Sequence, residues 1–247
     1  MTTTEPTSPR LTTTDRTKVR RAAARASEDR AAAYAVLDEG LVAHVGIAVD
    51  GQPFVIPMAY GRDGDRLLLH GSVASRLMRG LDSGLPVCVT VTLIDGLVMA
   101  RSAFHHSMNY RSVVVLGEAR RIDDPDELLA ALDVLVDHIV PGRSAELRPH
   151  TDVEVRQTMM LELPIDEASL KARTGGPNDD EADLDLPVWA GVLPLGQVAG
   201  TPEPDERSMG EDVPATVADW SRQGPHPGLT RARPQTGAEP ADVYGDG

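Results

Sequence analysis

The sequence has one cysteine, Cys88, and no long uninterrupted apolar run. A single cysteine excludes an internal disulfide and a thiolate metal cage, and it is typical of a reducing compartment. No stretch approaches the roughly 20 apolar residues that span a bilayer, and the first 30 residues lack the apolar block of a signal peptide. We therefore expect a soluble, cytoplasmic protein.

Positive charge and aromatic residues are also scarce. The chain has 38 acidic residues against 24 Lys and Arg, which gives a net charge of −14. This balance argues against nucleic acid and anionic membrane as partners, because both require a positive surface. Aromatic residues make up 3% of a chain whose hydrophobic fraction is 41%. The core is therefore expected to consist of Leu, Val, Ile and Ala, with Met as filler.

Both ends of the chain differ in composition from the middle. Residues 1–17 are rich in Thr and predict a disordered N-terminal arm. Residues 196–247 are rich in Pro and Gly and predict a flexible acidic tail, with 213–220 as a short helix or docking segment. The remaining residues, 18–195, have the apolar content of one domain.

The middle of the chain alternates between strand and turn signals. Asp50-Gly51, Asp63-Gly64-Asp65 and Asp95-Gly96 mark tight turns. The apolar runs between the turns predict strands over 41–49, 54–60, 66–70, 86–93, 97–103, 113–122 and 159–163. Helices are predicted over 27–37, 72–81 and 125–139. The fold class is therefore mainly β, a small antiparallel barrel with helical decoration.

One candidate anion site lies in the stretch RLLLHGSVASRL, residues 66–77. Ser72, Ser75 and Arg76 stand at the start of a predicted helix, where backbone N–H groups are free. Hydroxyls and a guanidinium beside such groups suit an anion such as a phosphate. The alternative is that Ser72 only caps the helix and Arg76 is solvated. The stretch is not a Walker loop, so a nucleoside triphosphate is not implied.

A second polar stretch, ARSAFHHSMNYRSVVVLG, spans residues 100–117. His105 and His106 are adjacent and point to opposite faces of an extended link, and no third ligand follows, so we expect no metal site. A serine hydrolase would need a Gly-x-Ser-x-Gly elbow, which is absent. His105, His106 and Tyr110 are the candidate proton-transfer groups of this polar loop.

Three further features bear on a binding site. Pro57 lies within a predicted strand and indicates an edge, whose backbone can pair with a planar heterocycle. The acidic run over 179–185 reads as a solvated linker. Trp189 follows that linker and either packs on the domain or covers a flat ligand.

Three blocks, PFVIPMAYGRDGDRLLLHGSVASRL, DGLVMARSAFHHSMNYRSVVVLGEAR and PVWAGVLPL, resemble a known family. They are similar to the flavin-nucleotide-binding branch of the pyridoxamine 5′-phosphate oxidase-like split-barrel superfamily, which is related to nitroimidazole-resistance proteins. The resemblance covers residues 18–195. It implies a six-stranded antiparallel split β-barrel that forms a homodimer and holds FMN in two clefts at the interface.

The resemblance also assigns site residues. It implies that the FMN phosphate lies against Ser72, Ser75 and Arg76, in agreement with the anion site, and that His70 and Gly71 border the ribityl chain. The remaining cofactor-binding residues that it implies are Ile56, Pro57, Met58, Ala59 and Tyr60 along the ring, Tyr110, Arg111 and Ser112 at the interface, and Trp189 over the flavin of the neighbouring subunit.

The resemblance leads to a functional expectation with alternatives. The chain lacks the additional basic residues and the Arg-Leu-x-Pro ending of true pyridoxamine phosphate oxidases, so vitamin B6 oxidation is not expected. We expect an FMN-dependent oxidoreductase acting on an unknown small molecule. The alternatives are a non-catalytic flavin carrier or sensor and a haem-binding or deazaflavin-binding protein, with His105 and His106 as the residues that favour haem.

Overall fold

The structure is a computed structural model that describes residues 10–208 and 212–221. Its strands are β1 (Ala26–Ser27), β2 (Val42–Val49), β3 (Gln52–Asp63), β4 (Arg66–Ser72), β5 (Pro86–Met99), β6 (Ser107–Glu118), β7 (Arg120–Arg121), β8 (Thr158–Pro164), β9 (Glu167–Arg173) and β10 (Gly191–Pro194). Its α-helices are α1 (Arg30–Glu39), α2 (Arg76–Asp82), α3 (Pro125–Ile139), α4 (Asp152–Gln157) and α5 (Ala215–Ala218).

The strands form one antiparallel sheet. Its order is β1-β9-β6-β5-β2-β3-β4-β8-β7, and β10 pairs with β5 outside this path. The strands alternate buried and accessible residues, as in β2, where Ala43, Val45 and Ile47 face the core. The expected mainly-β antiparallel fold with few helices is therefore confirmed.

Two of the three predicted turns are present and the third is wrong. Asp50 and Gly51 both have positive φ, +51° and +78°, which suits a tight hairpin between β2 and β3. Asp95-Gly96 is instead a bulge inside the continuous strand β5, where the pairing with β6 shifts between Ile94 and Gly96. Gly96 pairs with Pro194 of β10, and a Cβ there would be 3.0 Å from the Leu193 carbonyl oxygen.

Two of the three predicted helices begin later than predicted. Asp29 rather than Ser27 caps α1, because its carboxylate accepts hydrogen bonds from the N–H groups of Ala31 and Ala32. Ser75 rather than Ser72 caps α2. α3 has the predicted bounds, with Pro125 at its first turn and Asp124 as its cap.

Strand β4 lies between two apolar clusters. Leu67 and Leu69 belong to the main core, whereas Leu68 points the other way and packs with α3 residues Ala131 and Leu132. All three leucines are fully buried. The run of three leucines thus reflects burial of β4 on both faces.

The described part of the N-terminal arm packs on the domain, contrary to the prediction of disorder. Leu11 is 4% exposed and belongs to the main core. Isolated bridges join Arg10 to Asp29 and Thr12 to Glu167. Residues 1–9 lie outside the described residues. A single buried leucine in a Thr-rich stretch gave no periodic signal.

The C-terminal part contains three elements. Strands β9 and β10 follow β8, which the sequence predicted to be the last strand. The predicted docking segment contains α5, and the Trp220 indole N–H donates to the carbonyl of Ile139 at 2.9 Å, at the end of α3. Residues 209–211 and 222–247 of the predicted tail lie outside the described residues. Among those described, no helix is both long and apolar enough to cross a membrane.

Candidate functional site

The sheet opens between β3 and β4. Residues 52–59 of β3 pair with β2, whereas residues 60–63 pair with β4. The end of β4, His70–Ser72, pairs with β8 on its other side. Within the described residues, no strand therefore pairs with the second edge of residues 54–59, and the backbone there is free to bind a ligand.

Ser72, Ser75 and Arg76 lie together at the end of β4 and the start of α2. The Ser72 hydroxyl accepts from the Ala74 N–H at 3.2 Å, and the Ser75 hydroxyl accepts from the Met78 N–H at 3.4 Å. The Arg76 guanidinium carbon lies 4.7 Å from the centroid of the Phe54 ring on β3. This contact places the predicted anion-binding residues beside the free edge of β3.

Four of the five residues predicted along the ring belong to that free edge, namely Ile56, Pro57, Met58 and Ala59. Ile56 and Pro57 are exposed. Tyr60 differs, because its backbone pairs with Leu69 of β4 and its side chain is fully buried, with the hydroxyl donating to the Leu37 carbonyl. Tyr60 is therefore a core residue at the end of the opening.

His70 and Gly71 form the end of β4 next to the opening. The His70 ring is half-buried, its Nδ1 is buried without a partner in the described residues, and burial lowers the pKa of the imidazole. The ring is therefore neutral near pH 7. A Cβ on Gly71 would be 2.7 Å from Cγ of Met78, which is 1% exposed. Glycine thus lets α2 pack closely on β4.

The polar loop after β5 is anchored by an ion pair that the sequence did not indicate. The Asp179 carboxylate accepts from the Arg101 backbone N–H and from its guanidinium, both at 2.8 Å. The side chain of Asp179 is 2% exposed, and these bonds hold its pKa below the usual range. Asp179 is thus a buried anchor rather than part of a solvated linker.

The two adjacent histidines have different partners. His105 Nε2 lies 3.2 Å from an oxygen of Asp180. His106 Nδ1 lies 2.8 Å from the Ser102 carbonyl oxygen, to which it donates in the Nδ1–H tautomer. Its Nε2 then has a lone pair directed away from that bond. Phe104, beside them, is 89% exposed, and the sequence analysis did not select it.

Of the residues predicted at the interface, Arg111 is engaged within the chain. It makes paired hydrogen bonds to Glu39 and to Asp95, at 2.7–3.0 Å, and these carboxylates raise its pKa. The Ser112 and Thr92 hydroxyls are 2.8 Å apart. Arg111 therefore joins α1 to β5 within the chain.

The remaining predicted residues are Tyr110 and Trp189. Tyr110 is half-buried and pairs with Ile94 and Arg173 across the sheet. Trp189 is 67% exposed, and its ring lies against Gly191, where a Cβ would be 3.0 Å away. The contacts of Trp189 in one chain are thus with its own strand β10. No cluster of three metal-ligating side chains occurs in the part of the chain that the structure describes.

Comparison with known proteins assigns the family. The profile of the pyridoxamine 5′-phosphate oxidase family matches residues 29–172, from the cap of α1 to the end of β9. The chain belongs to this family. The region matched includes both sides of the opening between β3 and β4. Curated proteins gave no match.

Solved structures related to this pyridoxamine 5′-phosphate oxidase family member include two that match most of the chain. The flavocytochrome Anf3 from Azotobacter vinelandii is 42% identical, with a TM-score of 0.79, and the match covers 84% of this chain and 97% of that one. An FAD- and heme-binding protein from Mycobacterium smegmatis is 38% identical, with a TM-score of 0.76 and 79% and 96% coverage. A proposed 5-nitroimidazole antibiotic resistance protein from Bacteroides thetaiotaomicron is 26% identical, with a TM-score of 0.51 and 59% and 85% coverage.

Proposed function

We propose that this protein is a redox protein that binds a flavin in the opening between β3 and β4, and haem at the polar loop. The observation that carries the proposal is the opening itself. It combines a free strand edge with two hydroxyls and the Arg76 guanidinium, which contacts Phe54 on the opposite side. Similarity to a flavocytochrome and to an FAD- and heme-binding protein supports the same conclusion.

The residues of the opening fit a flavin nucleotide whose phosphate lies at the start of α2 and whose ring lies along β3. Arg76, Ser72 and Ser75 would hold its phosphate through charge-assisted hydrogen bonds. Peptide groups of Ile56–Ala59 would bind the polar edge of the ring, and His70, as a neutral imidazole, would face the ribityl chain. When bound, a flavin supplies one- and two-electron transfer, and the chain sets its orientation and electrostatic environment.

The choice between FMN and FAD is a separate part of the proposal. The sequence resemblance implies FMN, whereas the 38% identical relative binds FAD. Both nucleotides share the ring, the ribityl chain and the first phosphate, which are the parts that the opening fits. We take FAD as the flavin because that relative matches 79% of this chain.

His106 is the residue that fits haem iron. A histidine that binds a metal usually donates its other ring N–H to a carbonyl or a carboxylate, which fixes the tautomer. His106 has this arrangement toward Ser102, at 2.8 Å. Phe104 next to it leaves 89% of its surface exposed and would pack on an apolar macrocycle. His105 lacks a free Nε2, since that nitrogen faces Asp180.

The outer face of the sheet supports the proposed homodimer. One face of β2 and of the paired part of β3 is without Asp, Glu, Lys or Arg, and its residues are Val42, His44, Gly46, Ala48, Pro53, Val55, Pro57 and Ala59. Val42 is 48% exposed and Val55 63% exposed. Depletion of charge and exposure of aliphatic side chains are typical of the centre of a protein interface.

An oxidoreductase and a non-catalytic electron carrier share this cofactor arrangement. We propose the oxidoreductase, which is the activity that the sequence resemblance implies. Anaerobic addition of NADH or NADPH, followed by the visible absorbance of the flavin, distinguishes the two. Bleaching by a nicotinamide or by a reduced one-electron carrier protein, followed by reoxidation by a small acceptor, supports the enzyme, and a flavin that neither donor bleaches contradicts it.

The cofactors are tested on the protein as purified. We expect a flavin absorbance together with a Soret band. Denaturation should release FAD and haem, which mass spectrometry then identifies. Release of FMN would replace FAD in the proposal and leave the flavin site unchanged. A deazaflavin in the released fraction would replace the flavin assignment, and a colourless protein that binds none of these would contradict the proposed function.

A further inference from the structure

A run of positive charge interrupts this acidic chain near its N-terminus. Residues 16–27, which we call the basic segment, contain Arg16, Lys18, Arg20, Arg21 and Arg25 and no Asp or Glu. The chain as a whole has a net charge of −14, so the rest of it is more acidic still. The basic segment is thus a local reversal of the overall charge.

The basic segment is fixed to the domain at both ends. At its start, the Arg16 guanidinium donates to the Glu167 carboxylate on β9, with Nε at 3.1 Å, and this bond lowers the pKa of Glu167. Thr17 is 5% exposed. At its end, β1 pairs with β9 through Ala26 and Lys171. The residues between these anchors are therefore held on the surface of the sheet.

The four cations between the anchors are unpaired. Lys18, Arg20, Arg21 and Arg25 are exposed, and no ion pair or hydrogen bond of their side chains occurs within residues 10–208 and 212–221. Other arginines of the chain pair with carboxylates, as does Arg66, which contacts three of them. Four like charges on eight residues repel one another, and an external anionic group would relieve this repulsion.

The shape of the basic segment favours a protein over a small ligand. One pocket in the described residues has a volume of about 420 Å³ and is lined by Leu116–Glu118, Arg120, Pro164, Asp166 and Glu167, which include none of the four cations. The cations project from an exposed stretch that ends in a short 3-10 helix, Ala23–Arg25. Such a surface suits another surface of opposite charge.

We propose that the basic segment is the docking surface for an acidic one-electron carrier protein that exchanges electrons with this chain. The inference rests on the proposed redox function. Each encounter oxidises the carrier by one electron and reduces the bound cofactor by one, so a two-electron reduction of flavin takes two encounters. The acidic remainder of the chain repels such a carrier, and the basic segment therefore orients it.

Nucleic acid and anionic membrane fit the same surface less well. Both are extended polyanions, and they would face the acidic remainder of the chain as well as the basic segment. A small acidic carrier protein can contact the basic segment without also covering the acidic remainder of the chain. A patch of four cations is sufficient to steer such an encounter at low ionic strength.

The test uses the purified holoprotein and a small acidic [2Fe–2S] ferredoxin as the probe. Association is measured by isothermal titration calorimetry at several salt concentrations. The variant Arg20→Glu/Arg21→Glu reverses two of the exposed cations. The matched control, Arg156→Glu/Arg207→Glu, makes the same charge change at exposed arginines outside the segment.

We expect binding that weakens as salt rises and that falls about tenfold or more in Arg20→Glu/Arg21→Glu, with the control within about twofold of wild type. Equal loss in both variants, or no binding at low salt, would overturn the proposal. Tighter binding of duplex DNA or of anionic phospholipid vesicles than of the ferredoxin would overturn it too. The absorbance of each sample separates this failure from a failure of the proposed function, which would leave the protein without cofactor.

Discussion

The Arg76 guanidinium lies over the ring of Phe54, with its carbon 4.7 Å from the ring centroid. The contact joins the start of α2 to the edge of β3 across the opening of the sheet. An arginine held over an aromatic ring keeps its N–H groups at the ring's periphery, where they remain able to donate. Arg76 is thereby oriented for an anion before one binds.

Substitution of Arg76 tests its role as the phosphate ligand. Arg76→Ala should weaken flavin binding by about 1.5–3 kcal/mol, the range for a hydrogen bond to a charged group, which is about ten- to 150-fold in the dissociation constant. Fluorescence titration of the apoprotein measures it. Arg79→Ala, an exposed arginine on the same helix, is the control and should bind as wild type. Equal affinity in the Arg76 variant would move the phosphate elsewhere.

Substitution of His106 tests the haem assignment. His106→Ala should abolish the Soret band and retain the flavin absorbance, because the iron loses its ligand while the opening at β3 is unchanged. His105→Ala keeps the Nδ1 bond from His106 to Ser102 and should retain the Soret band. Spectra of the two variants purified in parallel measure the difference. Loss of the band only in His105→Ala would exchange the roles of the two residues.

A charge on the outer face of the sheet tests the homodimer. Val55→Glu should convert a dimer to a monomer, because an unpaired carboxylate at the centre of an interface costs several kcal/mol. Val55 is 63% exposed in one chain, so the substitution should leave the fold intact. Light scattering coupled to size exclusion measures the mass. Val198→Glu, at a residue 81% exposed, is the control. An unchanged dimer would place the interface on another face.

Gly40, between α1 and β2, tests the packing of the core. A Cβ there would be 2.4 Å from Cγ1 of Val91 and 2.8 Å from the Tyr60 hydroxyl. Gly40→Ala should therefore destabilise the protein by about 1–3 kcal/mol, the usual cost of overpacking. Gly200→Ala has open space around it and should have a negligible effect. Urea unfolding followed by circular dichroism compares the two, and equal midpoints would contradict the packing.

Local signals predicted the elements that local chemistry determines. The helix α3 has its start signals beside it, with Asp124 as cap and Pro125 in the first turn. The Asp50-Gly51 hairpin requires positive φ at both residues, and this dipeptide accepts it. In both cases the determining contacts lie within four residues of one another.

Tertiary pairing decided the elements that the sequence analysis missed. Asp95-Gly96 is a dipeptide that is common in hairpin turns. Here, however, β6 and β10 flank it on both sides and keep β5 continuous. Strand β9 mixes charged and apolar residues, and only its pairing with β6 reveals the burial of Ala168 and Leu170. Leu11 is buried in a Thr-rich stretch for the same reason.

The candidate site likewise combines features that local sequence predicts with contacts that only the fold brings together. Ser72, Ser75 and Arg76 are neighbours in sequence, and their grouping at the start of a helix was predictable. The contact between Arg76 and Phe54, and the anchoring of Arg101 by Asp179, join residues far apart in the chain. The engagement of Arg111 by Glu39 and Asp95 likewise needed the fold, because no local pattern pairs them.

The most direct test is a crystal structure of the protein as purified, with its cofactors bound. We expect a flavin whose ring lies along the backbone of Ile56–Ala59 and whose first phosphate accepts hydrogen bonds from Ser72, Ser75 or Arg76. A flavin bound elsewhere, with the opening between β3 and β4 closed by side chains of the same chain, would contradict it.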